Sequence, residues 1–193
     1  LSLWLAIACL ISTLIIGLPA AYGLARHPGW LSRILEEFIS LPLAVPGLAL
    51  ALALLQLYGS MKGFRVSWTF ILVGHVLYTL PFMVRSILAV LASMDLKTLE
   101  EGAASLGASP WQRFRDIVVP NAMPGILAGA LTVVTLSIGE FNLTWMLHTP
   151  YLKTLPVGLA DSYASMRLEV ASAYTLVFFV LIVPLLMAMQ WAS

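Results

Sequence analysis

Ionisable side chains inside apolar stretches are the first candidates for chemistry in this sequence. Glu140 is the one carboxylate deep in such a stretch, which begins near Pro124. A charge at that depth is costly in a membrane and faces either a bundle interior or a water-filled cavity. Two roles therefore stay open for Glu140. It contacts a cationic or zwitterionic solute, or it is the structural partner of an N–H or hydroxyl group.

The histidines and the cysteine form no recognisable cluster. His27, His75 and His148 lie in different segments, so a zinc site has little support and we expect no metal. His75 lies inside an apolar run, where a hydrogen bond between helices is the ordinary role and a proton relay is the alternative. Cys9 is alone in an apolar run, which predicts an inert packed thiol and no disulfide.

Motifs for hydrolysis are absent from the sequence. It contains neither Gly-x4-Gly-Lys-Ser/Thr nor His-Glu-x-x-His. The chain therefore carries no phosphate-binding loop and does not hydrolyse ATP alone. We expect no cofactor, and the residues offer no converging catalytic cluster that would make the chain an enzyme.

The longest polar interruption of the sequence, about residues 95–120, predicts two short helices with a break between them. Asp95 can cap the first helix, and Gly107 can end it because glycine adopts the left-handed conformation without steric cost. Ser109 and Gln112 have the spacing of a capping box at the start of the second helix, with Pro110 at its first position.

Both short helices carry apolar side chains at helical spacing. Four residues of the first helix share one predicted face: Leu96, Leu99, Ala103 and Leu106. Trp111 and Phe114 of the second helix lie three apart and point to the same side. Two interpretations stay open, since such faces usually pack internally but can also dock on a partner.

The composition indicates a polytopic membrane protein. Of the 193 residues, 61% are hydrophobic and 10% are charged, whereas soluble domains are about 25% charged. The net charge of +1 gives no argument for a nucleic acid partner, and we expect lipid to surround the chain. Residues 1–193 are expected to form one all-α domain, a segment of a longer chain. Five stretches are long enough to cross a bilayer: Leu1–Leu24, Phe38–Tyr58, about Trp68–Val84, about Pro124–Leu147 and Ala171–Ala192.

Details of the spans add three expectations. Pro46 should kink the second span near its start. Gly125 and Gly129 lie four apart and permit close approach of another helix, within the chain or across a subunit interface. With residues 95–120 on the cytoplasmic side, six bases lie inside and four outside, which follows the positive-inside rule weakly.

The polar segment resembles a known loop. Glu101-Gly102-Ala103, then Gly107, then Ile117 to Pro120 is similar to the EAA loop of ABC importer permeases. The pattern of that loop is Glu-Ala-Ala and then Gly after a spacer of three residues. A spacer of nine residues leads to Ile, and one further residue separates Ile from Leu-Pro. Here Gly102 replaces the first Ala and Val119 replaces the Leu, and Gly102 weakens the first helix by about 1 kcal/mol relative to Ala.

The resemblance implies that this loop is a cytoplasmic coupling helix that sits in a cleft of an ATPase subunit. It assigns docking to eight residues: Glu101, Gly102, Ala103, Gly107, Ser109, Pro110, Trp111 and Phe114. It also implies a bacterial inner-membrane assembly of two permease subunits, identical or homologous, two ATPase subunits and a periplasmic solute-binding protein. ATP-driven closure of the ATPases would then switch the paired bundles between inward- and outward-facing states.

A second stretch bears on the solute. Residues 137–144, SIGEFNLT, resemble the Gly-Glu-Phe stretch of the sulfate, molybdate, iron, polyamine and phosphonate branch of these permeases. Residues 141–169 look most like 2-aminoethylphosphonate permease subunits, so that solute is the expectation and the others are alternatives. Glu140 and His75 are the candidates for the translocation path.

Two rival interpretations of the function come from other classes. An ion-coupled secondary transporter could use Glu140 and His75 as a proton site, and it would need a proton gradient and no ATPase partner. A membrane-embedded enzyme is a further possibility that lacks a catalytic cluster. The segment at residues 95–120 favours the permease over both.

Overall fold

The computed structural model describes residues 1–192. In chain order its helices are α1 (Ser2–Arg26), α2 (Trp30–Ala44), α3 (Gly47–Tyr58), α4 (Lys62–Arg65), α5 (Trp68–Ala92), α6 (Leu96–Ser105), α7 (Pro110–Arg113), α8 (Val119–Gly139), α9 (Asn142–Leu147), α10 (Leu155–Ala164) and α11 (Leu168–Ala192). A π-helical turn, Phe114–Val118, joins α7 to α8. Within the described residues, an isolated bridge between Thr149 and Leu152 is the one β feature. The predicted all-α class is confirmed.

Four described helices are long and apolar enough to cross a membrane: Ser2–Arg26, Trp68–Ala92, Pro110–Gly139 and Leu168–Gln190. α2 and α3 pass the same test together, although the pair is bent by 104°. Counted as one broken span, they bring the total to the five that the sequence predicts.

The second predicted span is broken more sharply than the expected kink. Instead of one helix over Phe38–Tyr58, the chain breaks at Val45, whose backbone is extended with ψ 125°. Pro46 follows and precedes the first residue of α3. Proline disfavours helical backbone in the residue before it, so the chain turns at Val45. The predicted kink is therefore a sharp corner between two helices.

The ends of the third and fourth predicted spans also move. α5 continues beyond Val84 to Ala92. The fourth helix starts well before Pro124, because α7, the π-helical turn and α8 are continuous, and it ends at Gly139. Leu147, the predicted end of that span, belongs to the separate helix α9.

α1, α5 and α8 pack together at the centre of the bundle. The contact between α5 and α8 depends on two glycines. A Cβ atom at Gly125 would lie 2.5 Å from the carbonyl oxygen of Ser86, and one at Gly129 would lie 2.9 Å from the Sδ atom of Met83. Small residues here let the two helices approach closely. Of the two roles left open for this pair, close contact within the chain is the one observed.

A second apolar cluster joins α1, α3, α5 and α9: Leu5, Ala51, Leu54, Phe70, Ile71, Leu143 and Leu147. This cluster fixes the short helix α9 against the bundle. α11 packs on α8 and α10, yet it leaves most of its apolar side chains exposed.

The two ends of α1 make different contacts. At its C-terminal end, Arg26 lies 3.6 Å from Glu100 of α6. At its N-terminal end, the N–H of Leu155 at the start of α10 donates to Ser2 Oγ at 2.7 Å. Residues 95–120 and the start of α10 therefore lie at opposite ends of the bundle, as the predicted topology requires.

Candidate functional site

The first candidate site is the 95–120 loop, which begins with a capped helix. The Asp95 carboxylate accepts hydrogen bonds from the N–H and the hydroxyl of Thr98, at 3.2 and 2.6 Å. These bonds hold the pKa of the Asp95 carboxyl below its usual value. The helix ends before Gly107, which has φ +86°, a backbone conformation that favours glycine. The predicted cap and the predicted break are both confirmed.

The second helix of the loop begins with the predicted capping box. The N–H of Gln112 donates to Ser109 Oγ at 3.3 Å, and the N–H of Ser109 donates to Gln112 Oε1 at 2.7 Å. Pro110 stands at the first helical position. The rings of Trp111 and Phe114 stack with centroids 5.8 Å apart, so these residues share a side as predicted.

Of the four residues predicted to share an apolar face of α6, two do not pack internally. Leu99 and Leu106 are 44% and 89% exposed, whereas Leu96 is buried. The residue buried beside Leu96 is Glu100, and Ala103 is half-buried. α6 turns its Leu96 and Glu100 side toward α1, because the Glu100 carboxylate finds polar partners there.

Glu100 is a contact that sequence reasoning missed. Its carboxylate accepts a hydrogen bond from the Tyr22 hydroxyl at 2.6 Å and lies 3.6 Å from Arg26 Nε. Arg26 in turn donates to the Tyr22 oxygen at 2.8 Å. The one local signal is that Tyr22 and Arg26 lie four apart on α1 and so share a face.

The residues assigned to docking lie largely on the exposed surface of the loop. The Glu101 side chain is 67% exposed and lies 3.8 Å from Lys97, one turn earlier. Trp111 is 65% exposed, and Gly102 has open space around it. Phe114 differs, because it is half-buried against the ring of Tyr22.

A cavity of about 530 Å³ lies beside the contact between the end of α1 and the loop, and its lining includes Arg26, Lys97, Glu101 and Arg113. Within the described residues, the Nε atom of Arg113 is buried without a hydrogen-bond partner. Arg26, Lys97 and Arg115 each have an acidic neighbour. Arg113 makes no salt bridge within the described residues, although Glu100 and Glu101 line the same cavity.

The second candidate site is Glu140, and its predicted position inside the fourth helix is wrong. Glu140 follows the last residue of α8 and has an extended backbone with ψ 126°. Its carboxylate accepts from the N–H of Leu143 at 2.7 Å and from the N–H and the hydroxyl of Thr144, both at 2.8 Å. These are free groups in the first turn of α9, so Glu140 acts as its cap.

His75 is fully buried and extends this network into α5. Its Nδ1 lies 2.9 Å from Ser137 Oγ and its Nε2 lies 2.8 Å from Thr144 Oγ1. The Thr144 hydroxyl gives its one proton to Glu140, so it accepts from the N–H at His75 Nε2. Ser137 then donates to Nδ1, and a neutral ring satisfies both partners. The two translocation-path candidates are therefore linked through Thr144.

Two breaks in helices meet beside Glu140. A Cβ atom at Gly47, the first residue of α3, would lie 3.7 Å from Glu140 Oε1 and 3.6 Å from the Cβ of Asn142. The corner between α2 and α3 is therefore adjacent to the gap between α8 and α9. Interrupted helices of this kind mark substrate and ion sites in many transport folds.

Comparison with known proteins identifies the family. Residues 13–192 match the family of binding-protein-dependent transport system inner membrane components. The chain belongs to this family, since the match covers most of its length.

Curated relatives carry several transport names. The chain is 32% identical over 139 residues to a protein of Chlorella vulgaris named as a sulfate transport system permease, cysT, with 66% of this chain and 52% of that protein covered. It is 32% identical over 158 residues to the molybdenum transport system permease protein ModB of Haemophilus influenzae, covering 75% and 68%. It is 27% identical over 179 residues to a protein of Salmonella typhimurium named as a 2-aminoethylphosphonate transport system permease, PhnV, covering 92% and 67%. The chain thus spans between about half and two thirds of these relatives, which are transport permease subunits and not enzymes.

A solved structure has the same fold. A chain of the MetNI methionine ABC transporter, determined in inward-facing conformations, superimposes with a TM-score of 0.77 at 17% identity, covering 100% of this chain and 93% of that chain. The identity is low, so this likeness concerns the arrangement of helices.

Proposed function

We propose that this chain is the permease subunit of an ATP-driven ABC importer of the type I family and that the 95–120 loop docks an ATPase subunit. The observation that carries the proposal is the shape of this loop. Two capped helices project Glu101 and Trp111 into solvent at one end of a membrane bundle. A membrane chain that keeps such a polar surface uses it to contact something in water. Membership of the transport family supports this function.

The chemistry of the loop suits a protein partner. Trp111 offers a large exposed ring, and aromatic side chains of this kind anchor interfaces. Arg113 lines the adjacent cavity, and within the described residues its Nε atom has no hydrogen-bond partner and its side chain no salt bridge. We therefore propose that a carboxylate of the ATPase subunit pairs with Arg113. The Gly107 break sets the angle between the two helices that the ATPase cleft would receive.

The complete transporter would contain further parts. We propose a second permease subunit, identical or homologous, two ATPase subunits and a periplasmic solute-binding protein in a bacterial inner membrane. When ATP closes the ATPase subunits, both 95–120 loops would move, and the path would switch between inward- and outward-facing states. Glu140 and His75 would stabilise the interrupted helices beside that path.

The proposed solute is 2-aminoethylphosphonate, a zwitterion. The likeness to PhnV extends over 92% of this chain, more than the likeness to ModB or cysT. Sulfate and molybdate are the alternatives that these relatives suggest, and iron and polyamines are those that the Gly-Glu-Phe stretch suggests. A carboxylate at Glu140 suits a solute with an ammonium group better than it suits a simple anion.

The experiment is uptake by a reconstituted complex. The full-length chain, co-expressed with the ATPase and solute-binding protein encoded beside it, is placed in proteoliposomes with ATP inside. Labelled 2-aminoethylphosphonate, sulfate, molybdate, iron and a polyamine are then supplied in turn. The proposal is supported if the phosphonate is taken up with ATP and uptake stops when a non-hydrolysable ATP analogue takes its place. If another solute is taken up instead, that solute replaces 2-aminoethylphosphonate as the substrate.

A secondary transporter remains the second candidate, because His75, Thr144 and Glu140 form a continuous hydrogen-bonded chain. Such a chain can carry a proton. The same proteoliposomes separate the two functions. A protonophore abolishes uptake by an ion-coupled carrier and leaves uptake by an ATP-driven importer unchanged, whereas removing ATP does the reverse.

A further inference from the structure

We infer that Tyr22 and Glu100 fasten the 95–120 loop to the end of α1, so that α6 and α1 move as one rigid unit during the transport cycle. The inference rests on the proposed function and deepens it. It gives a positioning role to two residues that lie outside the docking surface.

The attachment of α6 depends on one polar side chain. Leu96 and Glu100 are the buried residues of this helix, and its other positions are half-buried or exposed. Leu96 lies at the first turn, so Glu100 is the buried contact near the middle of the helix. Without it, the part of α6 that carries Glu101 and Ala103 would have little buried surface to hold it in place.

The buried carboxylate of Glu100 has a hydrogen-bond donor and a positive charge beside it. Glu100 is 4% exposed, and burial of an unpaired carboxylate is very unfavourable. The Tyr22 hydroxyl and the Arg26 guanidinium supply a hydrogen bond at 2.6 Å and a charge at 3.6 Å. Arg26 also donates a hydrogen bond to the Tyr22 oxygen at 2.8 Å, so each of the three side chains contacts the other two. Each member therefore loses a partner if α6 separates from α1.

Tyr22 also contacts the second helix of the loop. Its ring centroid lies 5.4 Å from that of Phe114, and Phe114 stacks on Trp111 at 5.8 Å. A path of direct contacts thus runs from the exposed ring of Trp111 to Glu100 through a single residue of α1. Both halves of the loop are tied to the same point of α1.

This arrangement gives the loop a direct mechanical connection to the bundle. A force applied to Trp111 or Glu101 by a closing ATPase would reach α1 through the Tyr22 and Glu100 contacts. If the contacts open, the loop can follow the ATPase while α1 stays behind, and ATP is hydrolysed without productive transport.

The test measures the distance between α6 and α1. Spin labels are attached at Gly23→Cys and Ala104→Cys in a Cys9→Ala background. The positions 23 and 104 are exposed, whereas Cys9 is buried. The chain is studied in its assembled complex in nanodiscs, first without nucleotide and then after ATP hydrolysis in the presence of vanadate, which traps ADP and vanadate in the ATPase subunits. We expect one narrow distance distribution that is the same in both states.

Two conservative variants then weaken the attachment. Tyr22→Phe keeps the ring on Phe114 and removes the hydroxyl, and Glu100→Gln keeps the size and removes the charge. Loss of a hydrogen bond to a charged group shifts an equilibrium on the order of tenfold, so a second, longer distance should appear. The number of solute molecules carried per ATP should fall. Tyr22→Phe removes the hydrogen bond, whereas Glu100→Gln weakens it and removes the ion pair with Arg26, so the effect of the double variant should be smaller than the sum of the two single effects.

Matched controls are Glu37→Gln, at an exposed carboxylate of α2, and Tyr151→Phe, at a tyrosine that is 97% exposed. Both should keep the single distance and the wild-type number of solute molecules carried per ATP.

A wild-type distance that changes between nucleotide states would overturn the inference. So would Tyr22→Phe and Glu100→Gln variants that behave like the controls. If the wild-type complex shows no ATP-driven uptake, the proposed function fails, and the distance in the variants still reports separately on the attachment.

Discussion

The Glu140 carboxylate receives both the backbone N–H and the side-chain hydroxyl of Thr144, each at 2.8 Å. Thr144 also contacts His75 of α5, so one threonine of α9 joins α5 to the residue that follows α8. The carboxylate is half-buried and accepts three hydrogen bonds from groups of the chain. These bonds favour a structural role, and contact with a solute is the alternative that the variants below test.

We expect Glu140→Leu to lower stability more than Glu140→Gln does. Leucine leaves the N–H groups of Leu143 and Thr144 without an acceptor, at a cost of about 1–3 kcal/mol for each buried group. Glutamine keeps one acceptor oxygen and should cost less. The thermal unfolding midpoint in detergent measures the difference, with Glu169→Gln as the control because Glu169 is exposed.

The transport rate of the same variants separates the two roles of Glu140. A stable Glu140→Gln protein with reduced uptake indicates contact with a cationic or zwitterionic solute. A stable Glu140→Gln protein with normal uptake indicates a purely structural cap. Equal unfolding midpoints for the glutamine and leucine variants would contradict the capping role.

Local patterns in the sequence predict local structure well in this chain. The Asp95 cap, the Gly107 break and the Ser109 capping box involve residues within a few positions of each other, and the structure has all three. Glu100 shows the limit of such patterns. Its burial depends on Tyr22, which is 78 positions away, and a single sequence contains no record of which distant side chain will be its neighbour.

Glu140 illustrates a different limit, at a helix end. Apolar periodicity alone continues α8 through Glu140, because Phe141 and Leu143 are as apolar as the residues before them. The helix instead stops at Gly139, where the carboxylate gains hydrogen bonds to α9. These hydrogen bonds span three and four positions, so the missing signal is the spacing of a cap, which apolar periodicity does not reveal.

We expect Gly125→Ala to destabilise the bundle and Gly102→Ala to stabilise α6. A methyl group at Gly125 would lie 2.5 Å from the backbone oxygen of Ser86, so α5 and α8 must separate. Overpacking of this kind costs about 1–3 kcal/mol. A methyl group at Gly102 meets open space and should add about 1 kcal/mol through helix propensity. Unfolding midpoints of the two variants should therefore move in opposite directions.

The orientation in the membrane has a direct test. Single cysteines at Lys62 and Leu106 are introduced into a Cys9→Ala chain. Both positions are exposed; Lys62 is the first residue of α4, and Leu106 follows the last residue of α6. We expect an impermeant maleimide added to intact spheroplasts to label the cysteine at position 62. The cysteine at position 106 should react only after the membrane is opened, and the opposite pattern would remove the basis for docking.

Coupling through the loop should depend on Glu101 and on the break at Gly107. Glu101→Lys reverses an exposed charge and puts a second positive charge one turn after Lys97, while leaving the buried face of α6 intact. Gly107→Pro excludes the φ of +86° and removes the N–H that donates to Ala104 at 2.9 Å. We expect both variants to insert normally and to lose most ATP-driven uptake.

A cysteine at Ala104 should cross-link to the ATPase subunit in the wild-type background and do so less efficiently with Glu101→Lys. Glu36→Lys is the control, since it reverses a charge on α2 and outside the loop. Normal uptake in both loop variants, together with no cross-link from position 104, would show that the ATPase binds elsewhere on the chain.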